Sequence, residues 1–170
     1  MSVTPITDYL SIAAWPTAEN ITAMRDLGVR LIISMTNRLP PPELDQPPFR
    51  LLHLPANDSP FRPIPLDMLC AGVAAALPVI GNGEAVAVHC SRGRHRSVAM
   101  ACSILIGLGY SAEAAMLMVK EKRRQADPYI WYIRRRILAF EEHWPAGCAA
   151  ATTSDSPTGE RLVAGVTSNP

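Results

Sequence analysis

The sequence predicts an α/β fold in which a mostly parallel central sheet is flanked by helices. Residues 29–35 (VRLIISM) and 84–89 (EAVAVH) are short, apolar and rich in β-branched side chains, which is the composition of strands buried on both faces. Apolar segments of helical length lie between and after these strands, and several of them end at glycine. Such an alternation of strands and helices is typical of helices layered on a parallel sheet.

The first half of the chain predicts one helix, two strands and two loops. A short helix at 20–27 precedes the strand at 29–35. Residues 39–48 contain five prolines, and we predict a loop there because proline fixes φ and has no N–H to donate. A second strand at 50–54 (RLLHL) is followed by another loop at 55–65.

The middle of the chain predicts a helix, the third strand and a central helix. Residues 66–80 are rich in apolar side chains and precede a Gly-Asn-Gly turn, so we predict a helix there. The strand at 84–89 follows. Residues 97–108 (SVAMACSILIGL) are apolar nearly all round, which predicts a helix buried at the centre of the fold.

Two further helices are predicted after that central helix. Ser111 is a candidate cap for the first, which ends in the cationic run 120–124, where positive charge suits the helix dipole. Asp127 and Pro128 form a start signal for the second, with aspartate as the cap and proline at the first helical position. Its apolar residues recur at helical spacing as far as Trp144.

Length and composition predict one domain at 1–145 and a disordered tail at 146–170. The chain of 170 residues is long enough to bury a substantial core, and the residues of the tail are small and polar.

A net charge of +1 disfavours a general nucleic-acid binder. Neither a signal peptide nor an apolar run of the ~18 residues needed to span a bilayer is visible. The four cysteines lack CxxC spacing, so we expect reduced thiols and a cytoplasmic protein.

The sequence HCSRGRHRS at 89–97 places Cys90 between a buried strand and a buried helix. Ligands of open α/β sheets bind beyond the carboxyl ends of strands, where this loop lies. If the loop wraps, its N–H groups and the start of the next helix form an anion cradle, and Gly93 permits the turn. Such surroundings lower a thiol pKa from ~8.5 to ~3.5–7.5. Arg96 offers a planar fork for two phosphate oxygens.

The pattern HCxxGxxR[ST], on His89, Cys90, Gly93, Arg96 and Ser97, resembles the signature of the cysteine-based protein tyrosine phosphatases, and the small size resembles their dual-specificity branch. The resemblance implies the dual-specificity phosphatase fold. It also implies that Cys90 attacks phosphorus to form a phosphocysteine and that Arg96 binds the phosphoryl group. Ser97 would stabilise the departing thiolate, and His89 would hold the loop and tune Cys90 indirectly. Neither a metal nor an organic cofactor is implied.

The loop at 55–65 contains the predicted general acid. Asp58 lies 32 residues before Cys90 in a Leu-Pro-x-x-Asp pattern that resembles the acid loop of small dual-specificity phosphatases. A positioned acid speeds loss of the leaving group by ~10²–10⁴-fold, and the same carboxylate would later activate water. Two alternatives remain open. Asp58 could instead close an Asx-turn before Pro60, or Asp67 could be the acid, although its place at a helix start favours capping.

The loop after Cys90 also predicts the substrate-binding residues. The expected substrates are phosphorylated proteins carrying phosphotyrosine, together with phosphoserine or phosphothreonine. The run SRGRHRS resembles the loop of a plant-and-fungal atypical group that includes inositol-pyrophosphate phosphatases, so a small polyanionic ester such as an inositol polyphosphate or a phosphoinositide is the alternative. Equally, these side chains could face solvent and merely keep the pocket electropositive. The predicted substrate-binding residues are Ser91, Arg92, Gly93, Arg94, His95 and Arg96.

Three other classes of protein are weighed against the phosphatase. Low-molecular-weight tyrosine phosphatases have the cysteine loop near the N-terminus and the acid downstream, the reverse of the order here. A rhodanese-type sulfurtransferase has a cysteine loop at a helix start but would need neither Asp58 nor the residues flanking the loop. A non-catalytic phosphate-binding module would not require a nucleophile. The other cysteines, Cys70, Cys102 and Cys148, are expected to be ordinary thiols.

Overall fold

A computed structural model describes residues 3–147 of the chain. Within this range the strands are β1 (Val3–Pro5), β2 (Leu10–Ala13), β3 (Val29–Ser34), β4 (Arg50–His53) and β5 (Ala85–His89). The α-helices are α1 (Ala18–Asp26), α2 (Leu66–Gly81), α3 (Arg96–Gly107), α4 (Ala112–Lys122) and α5 (Trp131–Gly147). The tail expected from residue 146 onward lies, beyond the end of α5, outside the described residues.

The strands form one mixed sheet in the order β1-β2-β5-β3-β4. Only the edge pair β1–β2 is antiparallel, and β5 pairs in parallel with β2 on one side and β3 on the other. The predicted fold class, a mostly parallel sheet with flanking helices, is therefore confirmed. His89 at the end of β5 lies opposite Ala13 and Ser34, so Cys90 emerges at the carboxyl edge of three neighbouring strands.

Two apolar cores cover the two faces of the sheet. The larger core joins the sheet to α2, α3, α4 and α5, and the smaller one joins it to α1 and a short 3₁₀ helix at Pro42–Asp45. Helix α3 is buried from Arg96 to Ile106. This burial confirms the prediction of a central helix, and it places Arg96, the first residue of α3, in the protein interior at the end of the Cys90 loop.

The N-terminal strands were not predicted from the sequence. β1 (VTP) has three residues and β2 (LSIA) has four, and neither contains an apolar, β-branched run like those of β3 and β5. Helix α1 begins two residues earlier than predicted because the Thr17 hydroxyl accepts the Asn20 N–H and caps it.

The start predicted for the last helix is wrong. The Asp127 carboxylate does accept a backbone N–H, but the donor is Ile130 and the bond closes a turn that precedes the helix. Helix α5 begins at Trp131. An aspartate followed by proline is an equally good start for a turn, and here the Asp127-Pro128 pair begins a turn and not the helix.

The expectation of four reduced cysteines fails at Cys70, which is disulfide-bonded. Cys90 and Cys102 are free and buried, and Cys148 lies outside the described residues. Among the helices of residues 3–147, none has the length and apolar character needed to cross a membrane. The same residues contain no cluster of three or more side chains suited to hold a metal ion.

Candidate active site

The thiol of Cys90 lies at the bottom of a loop that connects β5 to α3. Its Sγ accepts the Gly93 N–H at 3.1 Å and lies 3.2 Å from the Ser97 hydroxyl. Burial by itself raises the pKa of Cys90. The hydrogen bond with Ser97 and the backbone N–H groups of Ser97, Arg94 and Arg92 lower it by a larger amount in total, so the net shift of the pKa is downward. The loop therefore favours the thiolate, as an anion cradle should.

Arg96 is the first residue of α3 and spans three parts of the site. One terminal nitrogen donates to the carbonyls of Met35 (3.1 Å) and Ala56 (3.0 Å), and the other donates to the Ser91 hydroxyl at 3.0 Å. Its Nε is buried and has no hydrogen-bond partner among the described residues. The guanidinium is thus fixed in orientation while keeping a donor for an anion.

Asp58 lies against the Cys90 loop, although 32 residues separate it from Cys90 in the sequence. Both carboxylate oxygens lie within hydrogen-bond distance of His95 Nδ1, at 3.0 and 3.1 Å. The Tyr132 hydroxyl, from α5, donates to Asp58 Oδ1 at 2.8 Å and lies 3.1 Å from His95 Nδ1. The structure thus brings the predicted acid and the predicted nucleophile loop together, through two side chains.

The rival acid, Asp67, lies elsewhere in a local contact. It is exposed in the first turn of α2, and its Oδ1 accepts the N–H of Met68 at 2.8 Å. A carboxylate at a helix N-terminus is stabilised by the helix dipole. This geometry supports the capping interpretation of Asp67.

The basic residues of the loop divide into two groups. Arg92 and Arg94 are exposed, with Ser91 beside them, whereas the Arg96 side chain is buried. His95 is partly buried and its ring is turned toward Asp58 and Tyr132. His95, which is predicted to bind substrate, contacts the predicted acid in this structure.

His89 is completely buried behind the loop, with its ring edge-on to Trp15 at 6.3 Å between centroids. Burial lowers the pKa of His89 to about 4, with the backbone of Cys90 partly opposing the shift. The imidazole is therefore neutral at pH 7 and is buried at the end of β5. It contributes no positive charge to the thiolate.

Sequence reasoning missed Arg123, which it treated as one of several cations at a helix end. The side chain is buried, and its Nε donates to the Gly93 carbonyl at 2.8 Å. Its Nη1 donates to Thr4 Oγ1 at 2.6 Å, so Arg123 ties the loop to the N-terminal strand β1. Inside the run KEKRR, no local feature separates this arginine from its solvated neighbours.

Gly93 is required where the loop passes closest to Arg123. Its φ is +62°, which side chains other than glycine rarely adopt. A Cβ at this position would also lie 2.8 Å from the carbonyl oxygen of Ala13 and would collide with the Arg123 guanidinium. The glycine expected from the loop pattern is thus needed for two physical reasons.

The known proteins that resemble this chain in sequence and in fold include dual-specificity phosphatases. No family model matches the sequence. Dual specificity phosphatase 28 of Mus musculus is 30% identical over 108 residues, which cover 62% of this chain and 63% of the relative. The match thus spans less than two thirds of that curated protein.

Solved structures extend the likeness to nearly the whole described fold. Human DUSP28 superposes with a TM-score of 0.75 and 25% identity, covering 86% of this chain and 97% of that one. PTPMT1 in complex with PI(5)P superposes with a TM-score of 0.74 and 23% identity, covering 90% of this chain and all of the other (100%). The chain therefore has the fold of the small dual-specificity phosphatases and is similar in sequence to one of them, with Cys90 and Arg96 at the positions of the cysteine-based phosphatase signature.

Proposed function

We propose that this chain is a cysteine-dependent phosphatase that hydrolyses phosphate monoesters in two steps. In the first, the Cys90 thiolate attacks phosphorus, the bond to the leaving oxygen breaks, and Asp58 gives that oxygen a proton. In the second, Asp58 takes a proton from water, the resulting hydroxide attacks phosphorus, and the phosphorus–sulfur bond breaks. The thiolate then departs, stabilised by the Ser97 hydroxyl 3.2 Å away.

The observation that carries this proposal is the environment of the Cys90 sulfur. A buried thiol normally has a raised pKa, as Cys102 in the middle of α3 does. Cys90 is also buried, yet the hydrogen bonds from Ser97 and the loop N–H groups lower its pKa. A structural cysteine has no need of such an environment, whereas a nucleophile that attacks phosphorus does.

Arg96 supplies the electrostatic part of the proposal. Its guanidinium is fixed by two backbone carbonyls and the Ser91 hydroxyl, so its remaining donors are preorganised for the equatorial oxygens of the phosphoryl group. Preorganised charge costs no rearrangement when the transition state forms. The exposed Ser91, Arg92 and Arg94 would contact the rest of the substrate.

Phosphorylated proteins are the substrates that we propose first. The curated relative is named as a dual specificity phosphatase, which supports phosphotyrosine together with phosphoserine or phosphothreonine. Inositol polyphosphates or phosphoinositides are the second candidate, favoured by the exposed Arg92 and Arg94 beside the site. The fold neighbour PTPMT1 was solved with PI(5)P.

The proposed chemistry requires neither a metal ion nor an organic cofactor, and we propose no nucleic-acid partner because the net charge is only +1. A thiolate nucleophile works only while reduced. This requirement favours the cytoplasm as the compartment. The disulfide at Cys70, by contrast, is typical of proteins in oxidising compartments.

Hydrolysis of p-nitrophenyl phosphate in the presence of a chelator tests the function. We expect turnover by the purified chain, inhibition by vanadate, and no detectable turnover by Cys90→Ser, which lacks the thiolate. Cys102→Ser is the matched control, because Cys102 is also a free, buried thiol but lies in the middle of α3. Residual activity in Cys90→Ser, or its loss in a folded Cys102→Ser protein, would contradict the assignment.

The competing classes and substrates are separated by two further assays. Transfer of sulfur from thiosulfate to cyanide would indicate a sulfurtransferase, and vanadate binding without any turnover would indicate a phosphate-binding module. Phosphate release from phosphotyrosine peptides, phosphoserine peptides, phosphoinositides and inositol polyphosphates, compared at equal concentration, ranks the substrate classes.

A further inference from the structure

We propose that Tyr132 and His95 are positioning residues that hold the general acid, Asp58, in place for proton transfer to the leaving group. The phosphatase function proposed above is the premise of this role. Asp58, His95 and Tyr132 are here called the acid cluster. Neither histidine nor tyrosine would touch the phosphorus centre, and both act through the carboxylate.

The three polar groups of the acid cluster contact one another in a closed triangle. Asp58 Oδ1 lies 3.0 Å from His95 Nδ1 and 2.8 Å from the Tyr132 hydroxyl, and the third side, from the hydroxyl to Nδ1, is 3.1 Å. All three distances lie within or near the range of good hydrogen bonds. The rings of His95 and Tyr132 also meet edge to face, with 5.8 Å between centroids.

The hydrogen-bond roles within the acid cluster depend on which of its groups carry protons. An ionised carboxylate and a bare imidazole nitrogen are both acceptors, so they attract each other at 3.0 Å only if a proton lies between them. The Tyr132 hydroxyl has one proton, and that proton serves the contact with Asp58 Oδ1. The contact between Asp58 and His95 therefore contains a further proton, carried by His95 Nδ1 or by the carboxyl group, and this hydrogen bond joins the acid to the Cys90 loop.

Tyr132 itself is not the acid. Burial, the hydrogen bond to Asp58 and the charge of that carboxylate raise its pKa to about 12, with the positive charge of Arg94 opposing. The hydroxyl thus keeps its proton at neutral pH and remains a donor. It can hold the carboxylate in place both before proton transfer and afterwards, when Asp58 is ionised and awaits the proton of the attacking water.

The position of Asp58 depends on these two contacts because the loop at 55–65 that carries it is mostly exposed to solvent. Asp58 and most of its neighbours between Pro55 and Pro65 are exposed. Among the described residues, the hydrogen bonds of the Asp58 side chain are those to His95 and Tyr132. His95 belongs to the Cys90 loop and Tyr132 to the first turn of α5, so both anchors lie on the part of the fold that also holds the nucleophile.

The leaving-group dependence of catalysis tests this role. p-Nitrophenolate departs without protonation, whereas phenolate needs the acid, so kcat/KM should be compared for p-nitrophenyl phosphate and phenyl phosphate. For Tyr132→Phe, which removes one oxygen, we expect about a tenfold loss on phenyl phosphate and less than about a threefold loss on p-nitrophenyl phosphate. For His95→Leu, which removes the hydrogen bond to Asp58, we expect the same pattern.

The double variant makes the test specific. If Tyr132 acts only through the acid, Tyr132→Phe should cause no further loss on phenyl phosphate in an Asp58→Asn background. Tyr129→Phe is the matched control, since Tyr129 is an exposed tyrosine two residues before α5, and it should alter neither substrate. Circular dichroism and thermal unfolding confirm that each variant is folded.

Each outcome has a distinct meaning. Equal slowing of both substrates by Tyr132→Phe, or full additivity with Asp58→Asn, would show a merely structural role and overturn this inference while leaving the phosphatase function intact. No turnover of p-nitrophenyl phosphate by the unmodified chain would overturn the function and, with it, the role assigned to the acid cluster.

Discussion

The nucleophile and the acid of the candidate site are held in place by different kinds of contact. Cys90 is buried, and its sulfur contacts groups of its own loop and of the first turn of α3, namely the Gly93 N–H and the Ser97 hydroxyl. The Arg123 side chain in turn donates to the Gly93 carbonyl. Asp58 lies on an exposed, proline-rich loop and is held by two side chains. The cradle is thus part of the folded core, whereas the position of the acid depends on contacts that single substitutions can remove.

This difference predicts which variants are damaging. Substitutions in the Cys90 loop should affect every substrate and, where they disturb the main chain, stability as well. Substitutions around Asp58 should leave the fold intact and should lower kcat/KM chiefly for substrates whose leaving group needs a proton. The three predictions below concern the Cys90 half, and the leaving-group test of Tyr132 concerns the other half.

The largest effect is expected from Arg96→Lys. Lysine keeps the charge but loses the planar fork that binds two oxygens and the carbonyls of Met35 and Ala56. We expect kcat/KM for p-nitrophenyl phosphate to fall by about 10²–10³-fold, the usual loss for a preorganised transition-state donor. Steady-state kinetics measure this loss.

Arg30→Lys is the control for a change of arginine to lysine, because Arg30 is exposed on β3, where it lies 3.8 Å from Glu84 in an ion pair. Its activity should be unchanged. If Arg96→Lys retained most of the activity, the guanidinium would not be the phosphate-binding group. The Cys90 half of the site would then tolerate substitution as well as the Asp58 half does.

The next effect concerns stability. Gly93→Ala forces a side chain into a left-handed backbone conformation and against the Ala13 carbonyl, so we expect a loss of about 1–3 kcal/mol in the free energy of unfolding. Denaturant unfolding measures it. Gly81→Ala is the control, since a Cβ there meets nothing within 4 Å. Equal stabilities would mean that the loop relaxes freely and is not part of the rigid core.

The same distinction explains which features of the molecule could be predicted from the sequence. The Cys90 loop is one contiguous stretch, and its chemistry needs cysteine, glycine, arginine and serine at fixed spacing. The buried strands and α3 follow from apolar composition over several residues. Local pattern was therefore enough for the fold class, for the position of the cradle and for Asp58 as a candidate acid.

Residues that act on the site from a distance were not predictable in this way. Arg123 and Tyr132 lie 33 and 42 residues beyond Cys90 in the sequence, and only the packing of α4 and α5 brings them to the loop. Arg123 stands in a charged run and Tyr132 in an aromatic one, so local context gave no sign of their partners. The contact of His95 with Asp58 is also a tertiary one, so the sequence indicates His95 only as a member of the Cys90 loop.

The smallest effect is expected from Ser97→Ala, which keeps the loop backbone and removes one hydroxyl. The Ser97 hydrogen bond is the largest of the contributions that lower the pKa of Cys90, so its loss should raise that pKa and reduce the thiolate fraction at a given pH. The midpoint of the pH dependence of Cys90 alkylation should therefore move to higher pH. Ser103→Ala is the matched control, because the Ser103 hydroxyl is buried on the same helix but donates to the Ala99 carbonyl.

Ser97→Ala should also slow the second chemical step more than the first, because the thiolate is the leaving group of that step. Loss of a hydrogen bond to a charged group corresponds to about a tenfold decrease in rate, and a burst of p-nitrophenol followed by slow turnover would reveal it. An unchanged alkylation midpoint would mean that the backbone N–H groups alone stabilise the sulfur. In that case the nucleophile half of the site would be held by main chain only, and its contrast with the side-chain-held acid would be sharper still.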